Sequence, residues 1–163
     1  MQRRIKSLAC AWLLSVTSIA LAGADPSIDP TRSLAADVQS AARQSKPLLL
    51  FVTQPGCSYC ERARREVLRH LAVDPAYTSR AVFRELSIGS AIAGFDGKPQ
   101  SGLEAARALG VRLYPTVVIV DAAGTALAAP LRGYSPDFYT ATLDGRLSDA
   151  EQALRAGSER RGK

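Results

Sequence analysis

With 163 residues, 47% of them hydrophobic and 22% charged, the chain has the composition of an ordinary soluble protein and the length for one domain with its own core. A formal charge of +6 is a weak argument for a polyanionic partner, and three cysteines are too few for a scaffold stapled by several bridges.

The first element is not part of that domain. Met1-Gln2-Arg3-Arg4-Ile5-Lys6 is a basic segment, Ser7 to Ala20 is mostly apolar, and Ala20-Leu21-Ala22 or Ala22-Gly23-Ala24 supplies the small residues of a cleavage site. This reads as a signal peptide over 1–24, cut after Ala22 or Ala24. The apolar stretch is shorter than the roughly 20 residues needed to span a bilayer, and Ser15, Thr17 and Ser18 dilute it. Cys10 leaves with the peptide, as do Arg3, Arg4 and Lys6, so the charge falls to +3 and the remaining cysteines are Cys57 and Cys60. An exported protein meets an oxidising compartment, where that pair closes a loop too small to stabilise much; its value is chemical.

Residues 25–33 read as a proline-containing linker. Thr31 or Ser33 caps a helix through Leu34, Ala35, Val38, Ala41 and Ala42, which Lys46-Pro47 stops. Leu48 to Thr53 is an apolar run suited to a central strand covered on both faces. Gly56-Cys57-Ser58-Tyr59-Cys60 follows, and from Tyr59 to Leu71 the apolar Ala63, Val67, Leu68 and Leu71 recur at helical spacing. A strand that turns into a helix at this point puts the first sulfur beside unsatisfied N–H groups, where a thiolate is stabilised.

Ala81 to Ile88 reads as a strand with Val82, Leu86 and Ile88 toward the core. Gly89 to Gly102, with Gly94, Gly97 and Pro99, reads as an irregular excursion; Leu103 to Leu109 is a short helix ended by Gly110. Thr116 to Val120 is a β-branched strand, Asp121 to Gly124 a turn, and Thr125 to Arg132 a returning strand broken at Pro130. Ser135-Pro136-Asp137 opens a last helix with Phe138, Tyr139, Thr142 and Leu143 as its buried stripe, interrupted by Gly145. The domain is expected to span 34–147, and the basic 148–163 a weaker helix and flexible tail without a nucleic-acid role.

A lone CxxC is equally half of a zinc site. Here it is joined by Leu109-Gly110-Val111-Arg112-Leu113-Tyr114-Pro115-Thr116. The two motifs, in this order of strands and helices, resemble the thioredoxin superfamily, and the signal segment and extra first helix are similar to exported members, including periplasmic thioredoxins of sulfur-oxidation systems. The resemblance implies an α/β thioredoxin fold: a central mixed sheet flanked by helices, with an extra N-terminal helix and an insertion near 89–102. It further implies a periplasmic thiol:disulfide oxidoreductase without cofactor or metal, acting as a monomer on protein thiols and disulfides and recharged by a membrane or periplasmic electron-transfer partner.

Within that resemblance Cys57 is the attacking nucleophile, Cys60 the resolving thiol, and Cys57-Cys60 the disulfide. Ser58 and Tyr59 tune the potential, and the absence of histidine between the cysteines leans toward reduction or isomerisation. Pro115, in cis, exposes the backbone of Tyr114 to an extended substrate. The chain departs from ordinary thioredoxins at Gly56, at Ser58-Tyr59, and at Phe51, which stands where the family carries a buried acid, so no base is assigned.

Competing readings are a non-enzymatic binding or metal-chaperone module using the pair as a passive disulfide or clasp, and a small-ligand groove marked by Phe95 and Tyr134. His70, ten residues beyond Cys60, is about 15 Å along a continuous helix and too far to share a metal.

Overall fold

The computed structural model describes residues 27–161. The expected signal peptide, its cleavage site and Cys10 lie outside these residues.

Helix α1, Leu34–Arg43, starts at Ser33, whose hydroxyl accepts the Ala36 N–H. Strand β1, Leu48–Thr53, is buried at every position, as its unbroken apolar run demands. The next helix is assembled from α2, Ser58–Ala63, a π-helical turn at Arg64–Leu68, and α3, Arg69–Leu71. Short α4, Pro75–Thr78, precedes strand β2, Val82–Ser87. Then come strands β3, Ala91–Ala93, and β4, Pro99–Ser101, followed by α5, Gly102–Ala108. Strands β5, Thr116–Val120, and β6, Leu131–Arg132, and helix α6, Tyr139–Arg161, end the described chain.

The main sheet runs β2-β1-β5-β6, with β1 parallel to β2 and antiparallel to β5. Period-two alternation divides the core between its faces. Leu49, Phe51, Phe83, Val117 and Ile119 meet Leu68 of the dithiol helix and Tyr139, Leu143 and Leu147 of α6. Leu48, Leu50, Val52, Leu86, Val118 and Val120 meet Leu34 and Val38 of α1 and Ala105 and Ala106 of α5. This is the expected mixed sheet flanked by helices.

Four details differ from the sequence expectations. The described part of the supposed linker runs along the β2 edge: Thr31 donates its N–H to the Glu85 carbonyl, Glu85 donates to the Asp29 carbonyl, and Ile28 is buried. Backbone pairing to an otherwise open edge fixes it there. Gly89 to Gly102 is not irregular but contains the antiparallel β3-β4 ribbon, anchored by buried Ile92.

The returning strand is confined to Leu131–Arg132 and an isolated Val120–Ala126 bridge; Pro130 has no N–H to extend the ladder. The last helix begins at Tyr139 and runs unbroken through Gly145, with Tyr139, Leu143, Leu147 and Ala150 buried and Phe138 70% exposed. Packing of that stripe outweighs the glycine's poor helix propensity. Arg80 clamps the same helix through Asp144, at 2.6 Å, and Glu151, at 2.7 Å.

Candidate functional site

The dithiol sits where β1 ends and its helix begins. Gly56, at φ +70°, takes the left-handed turn that glycine adopts without strain and redirects the chain into the helix. Cys57 is the N-cap of α2 in extended conformation, and its Sγ accepts the Cys60 N–H at 3.1 Å. A sulfur here occupies the place of a capping oxygen and faces the positive end of the helix. The two cysteines are disulfide-bonded, with Cα atoms 5.2 Å apart. Cys57 keeps 8% of its surface open, whereas Cys60 keeps 1%.

Ser58 and Tyr59 point outward, Tyr59 being 58% exposed. The β1-β5 register pairs Val52 with Thr116, so the end of β1 that leads to the cysteines lies beside the start of β5 and the Tyr114-Pro115 segment. The Tyr114-Pro115 peptide is cis. Pro115 is buried, its carbonyl accepts the Gly133 N–H at 2.8 Å, and Thr116 Oγ1 donates to the Leu113 carbonyl at 2.7 Å. Tyr114 packs against the cluster that holds both cysteines.

The other candidates fall elsewhere. His70 is exposed near the far end of the dithiol helix, where its Nε2 accepts from Arg69 at 3.3 Å. Phe95 belongs to the α1-α5 face, so close to Gly124 that a Cβ there would meet its ring at 3.0 Å, while Tyr134 packs on the opposite, cysteine-bearing face. The sheet lies between them, so the competing reading of one groove lined by both does not hold. Among the described residues no three His, Cys, Asp or Glu side chains gather to hold a metal.

Two polar clusters beside the dithiol were missed. On the inner side, Glu85 of β2 receives Arg64 at 2.9 Å and Thr53 Oγ1 at 2.9 Å. The hydrogen bond from Arg64 to Glu85 raises the guanidinium's pKa, keeping it charged despite partial burial. On the outer side, Tyr134 donates to Glu66 at 2.6 Å and Arg62 lies 5.6 Å from the Tyr134 ring centre. That hydrogen bond, followed by one from Arg62, lowers the Glu66 pKa, and desolvation raises that of Tyr134. The readable signal for the inner cluster was period two in β2: residue 85 shares a face with buried Phe83 and is paired with Phe51.

Three solved structures are similar to this chain. Thioredoxin f from spinach chloroplast is 19% identical over 80% of this chain and 95% of its own, with a TM-score of 0.53. Malassezia sympodialis thioredoxin is 16% identical over 74% of this chain and 94% of its own, also at 0.53. The periplasmic thioredoxin SoxS from Paracoccus pantotrophus is 21% identical over 64% of this chain and 99% of its own, at 0.45. No match was found among curated proteins. The model of the thioredoxin-like domain family matches residues 34–144. With that match and a CxxC pair at disulfide distance, the chain belongs to the thioredoxin-like domain family and is a thiol:disulfide oxidoreductase.

Proposed function

We propose that the protein is exported and exchanges disulfides with protein substrates, with Cys57 attacking and Cys60 resolving. The observation that carries the assignment is the difference between the two sulfurs: Cys57 caps the helix and accepts an N–H, while Cys60 lies one turn inside and is closed to a macromolecule. The capping position stabilises a thiolate, lowering the thiol pKa below the free value of about 8.5.

In the reducing direction the Cys57 thiolate attacks one sulfur of a target disulfide. A Cys57-target bond forms, and the other target sulfur leaves as a thiolate. Cys60 then gives its proton to solvent and attacks Cys57 Sγ, forming the Cys57–Cys60 bond and releasing the second target sulfur. Two electrons pass to the target, and a membrane or periplasmic dithiol restores the pair by the reverse exchange. Ser58 and Tyr59, at the helix start, tune the thiolate and present a surface to the partner. Tyr114 and Pro115 offer backbone to an extended substrate segment.

The reductase or isomerase direction rests on the Ser58-Tyr59 pair between the cysteines, and periplasmic location on the basic and apolar leader with its small residues before residue 25. The test is turnover of insulin disulfides by the processed protein with a dithiol donor, alongside its reduction potential. Turnover that disappears in Cys57→Ala is expected; a wild-type disulfide inert to glutathione and dithiol donors overturns the reading. Cell fractionation with N-terminal sequencing of the mature chain checks export, and an unprocessed cytoplasmic chain refutes it.

A further inference from the structure

On the cysteine-bearing face, strands β1 and β2 carry one charged residue, Glu85. Glu85 alternates with buried Phe83 along β2 and lies opposite Phe51, so its carboxylate is on the side covered by the dithiol helix. Arg64 reaches it from that helix, Nε to Oε2 at 2.9 Å and Nη2 to Oε1 at 2.5 Å, while Thr53 Oγ1 completes the cluster. The guanidinium carbon lies 5.8 Å from the Phe51 ring centre. Both side chains are largely covered, with 15% of Glu85 and 24% of Arg64 exposed.

Arg64 is also placed with respect to the cysteines. Residues 57, 60 and 64 are spaced i, i+3, i+7, which is one face of a helix, and the Arg64 N–H bonds the Cys60 carbonyl. Its only other ion-pair partner among the described residues is Glu61, whose side chain is 63% exposed and screened by solvent. A covered ion pair gives little net stability over well-packed apolar residues, because desolvation offsets the attraction. What an apolar pair cannot supply is a positive charge, carried by the residue one turn after Cys60, together with a carboxylate that holds and balances it.

We propose that Arg64 and Glu85 form a positioning pair that sets the redox poise of the Cys57-Cys60 dithiol, Arg64 favouring the thiolate and Glu85 limiting that effect. The inference rests on the dithiol reading above and deepens it. Neither residue touches the exchanging sulfur atoms or transfers a proton in the reaction. Each acts through the field at the thiols, which weights the reduced form against the disulfide.

The test is the glutathione redox equilibrium of the processed protein and its variants, with folding checked by circular dichroism. Glu85→Gln leaves Arg64 uncompensated and stabilises the reduced form by roughly threefold to tenfold, a potential about 15 to 30 mV less negative at 29.6 mV per tenfold for two electrons. Arg64→Gln leaves the carboxylate uncompensated and shifts the equilibrium by a similar factor the other way. The double variant returns to within twofold of wild type, as does Arg64→Lys.

A pair with a structural role alone lowers the melting temperature of both single variants and leaves the potential unchanged. That result, or both single variants shifting in the same direction, overturns the proposal. If Glu85→Gln fails to fold, Arg64→Gln against Arg64→Lys decides: equal potentials refute it, and a more negative potential for Gln alone supports it. Failure of the underlying dithiol reading looks different, as a wild-type disulfide that glutathione does not reduce.

Discussion

At the residue scale the site depends on an asymmetry of burial between two chemically identical side chains. Cys57 caps a helix and keeps 8% of its surface open while Cys60 keeps 1%, which supports the proposal that the first sulfur meets substrate and the second resolves. Cys60→Ala is therefore expected to accumulate mixed disulfides at Cys57, detected on non-reducing gels, while Cys57→Ala accumulates none. Trapping by Cys57→Ala in place of Cys60→Ala reverses the assignment. The Cys57-Cys60 spacing and the Tyr114-Pro115 segment are readable as motifs because motif spacing is a covalent property. The carboxylate opposite Phe51 is not: Glu85 is 34 residues away in the chain, and only the parallel β1-β2 register sets the two side by side.

At the element scale the dithiol helix is held on both sides. Its π-helical turn, a distortion often found at functional sites, begins at Arg64, which turns inward to Glu85. Its outer face carries Glu66, bound by Tyr134 from the loop that also contacts Pro115 through Gly133. The folded-state pKa of Glu66 is lowered from its ordinary 4.5 by Tyr134 first and Arg62 second. A depressed carboxylate pKa contributes stability that is present above the unfolded pKa and lost as pH falls through the folded one. Tyr134→Phe removes the larger cause, so its urea midpoint is expected to lie below wild type at pH 6 and to converge with it below pH 4. A constant gap across that range contradicts the assignment.

Helix α6 shows the same dominance of packing over propensity. Gly145 is expected from sequence to break the helix, yet Leu143 and Leu147 on either side are fully buried and carry it through. A Cβ at Gly145 meets nothing within 4 Å, so Gly145→Ala is expected to stabilise the protein by about 0.5–1 kcal/mol, the helix propensity gained without a clash. A fall in melting temperature instead counts against an unbroken helix at this point.

At the scale of the whole molecule, α5 and the β3-β4 ribbon are locked to the sheet by close backbone approach. A Cβ at Gly102 would stand 2.1 Å from the Ser87 carbonyl oxygen, an atom of the last β2 residue that cannot swing aside. Gly102→Ala is expected to destabilise the fold by about 1–3 kcal/mol, read as a lower urea midpoint, and an unchanged midpoint refutes so tight a junction. The N-terminal segment seals the other side of the same strand through the Thr31-Glu85 and Glu85-Asp29 bonds. β2 is thus covered at its edge, on its α1-α5 face and at its end, while Glu85 serves the dithiol face.

The amino-acid sequence by itself determined the order of the main-sheet strands and the longer helices, the CxxC pair and the Tyr114-Pro115-Thr116 segment, because periodicity, capping and motif spacing act within a few residues. Tertiary structure decided which distant groups meet. It paired the Asp29-Thr31 segment with β2, drew residues 91–101 into a ribbon, and carried α6 through Gly145. It also brought Arg64, Thr53 and Glu85 together on the sheet face that the dithiol helix covers. Those outcomes depend on strand register and the burial of shared surface, which arise only when segments far apart in the chain pack together.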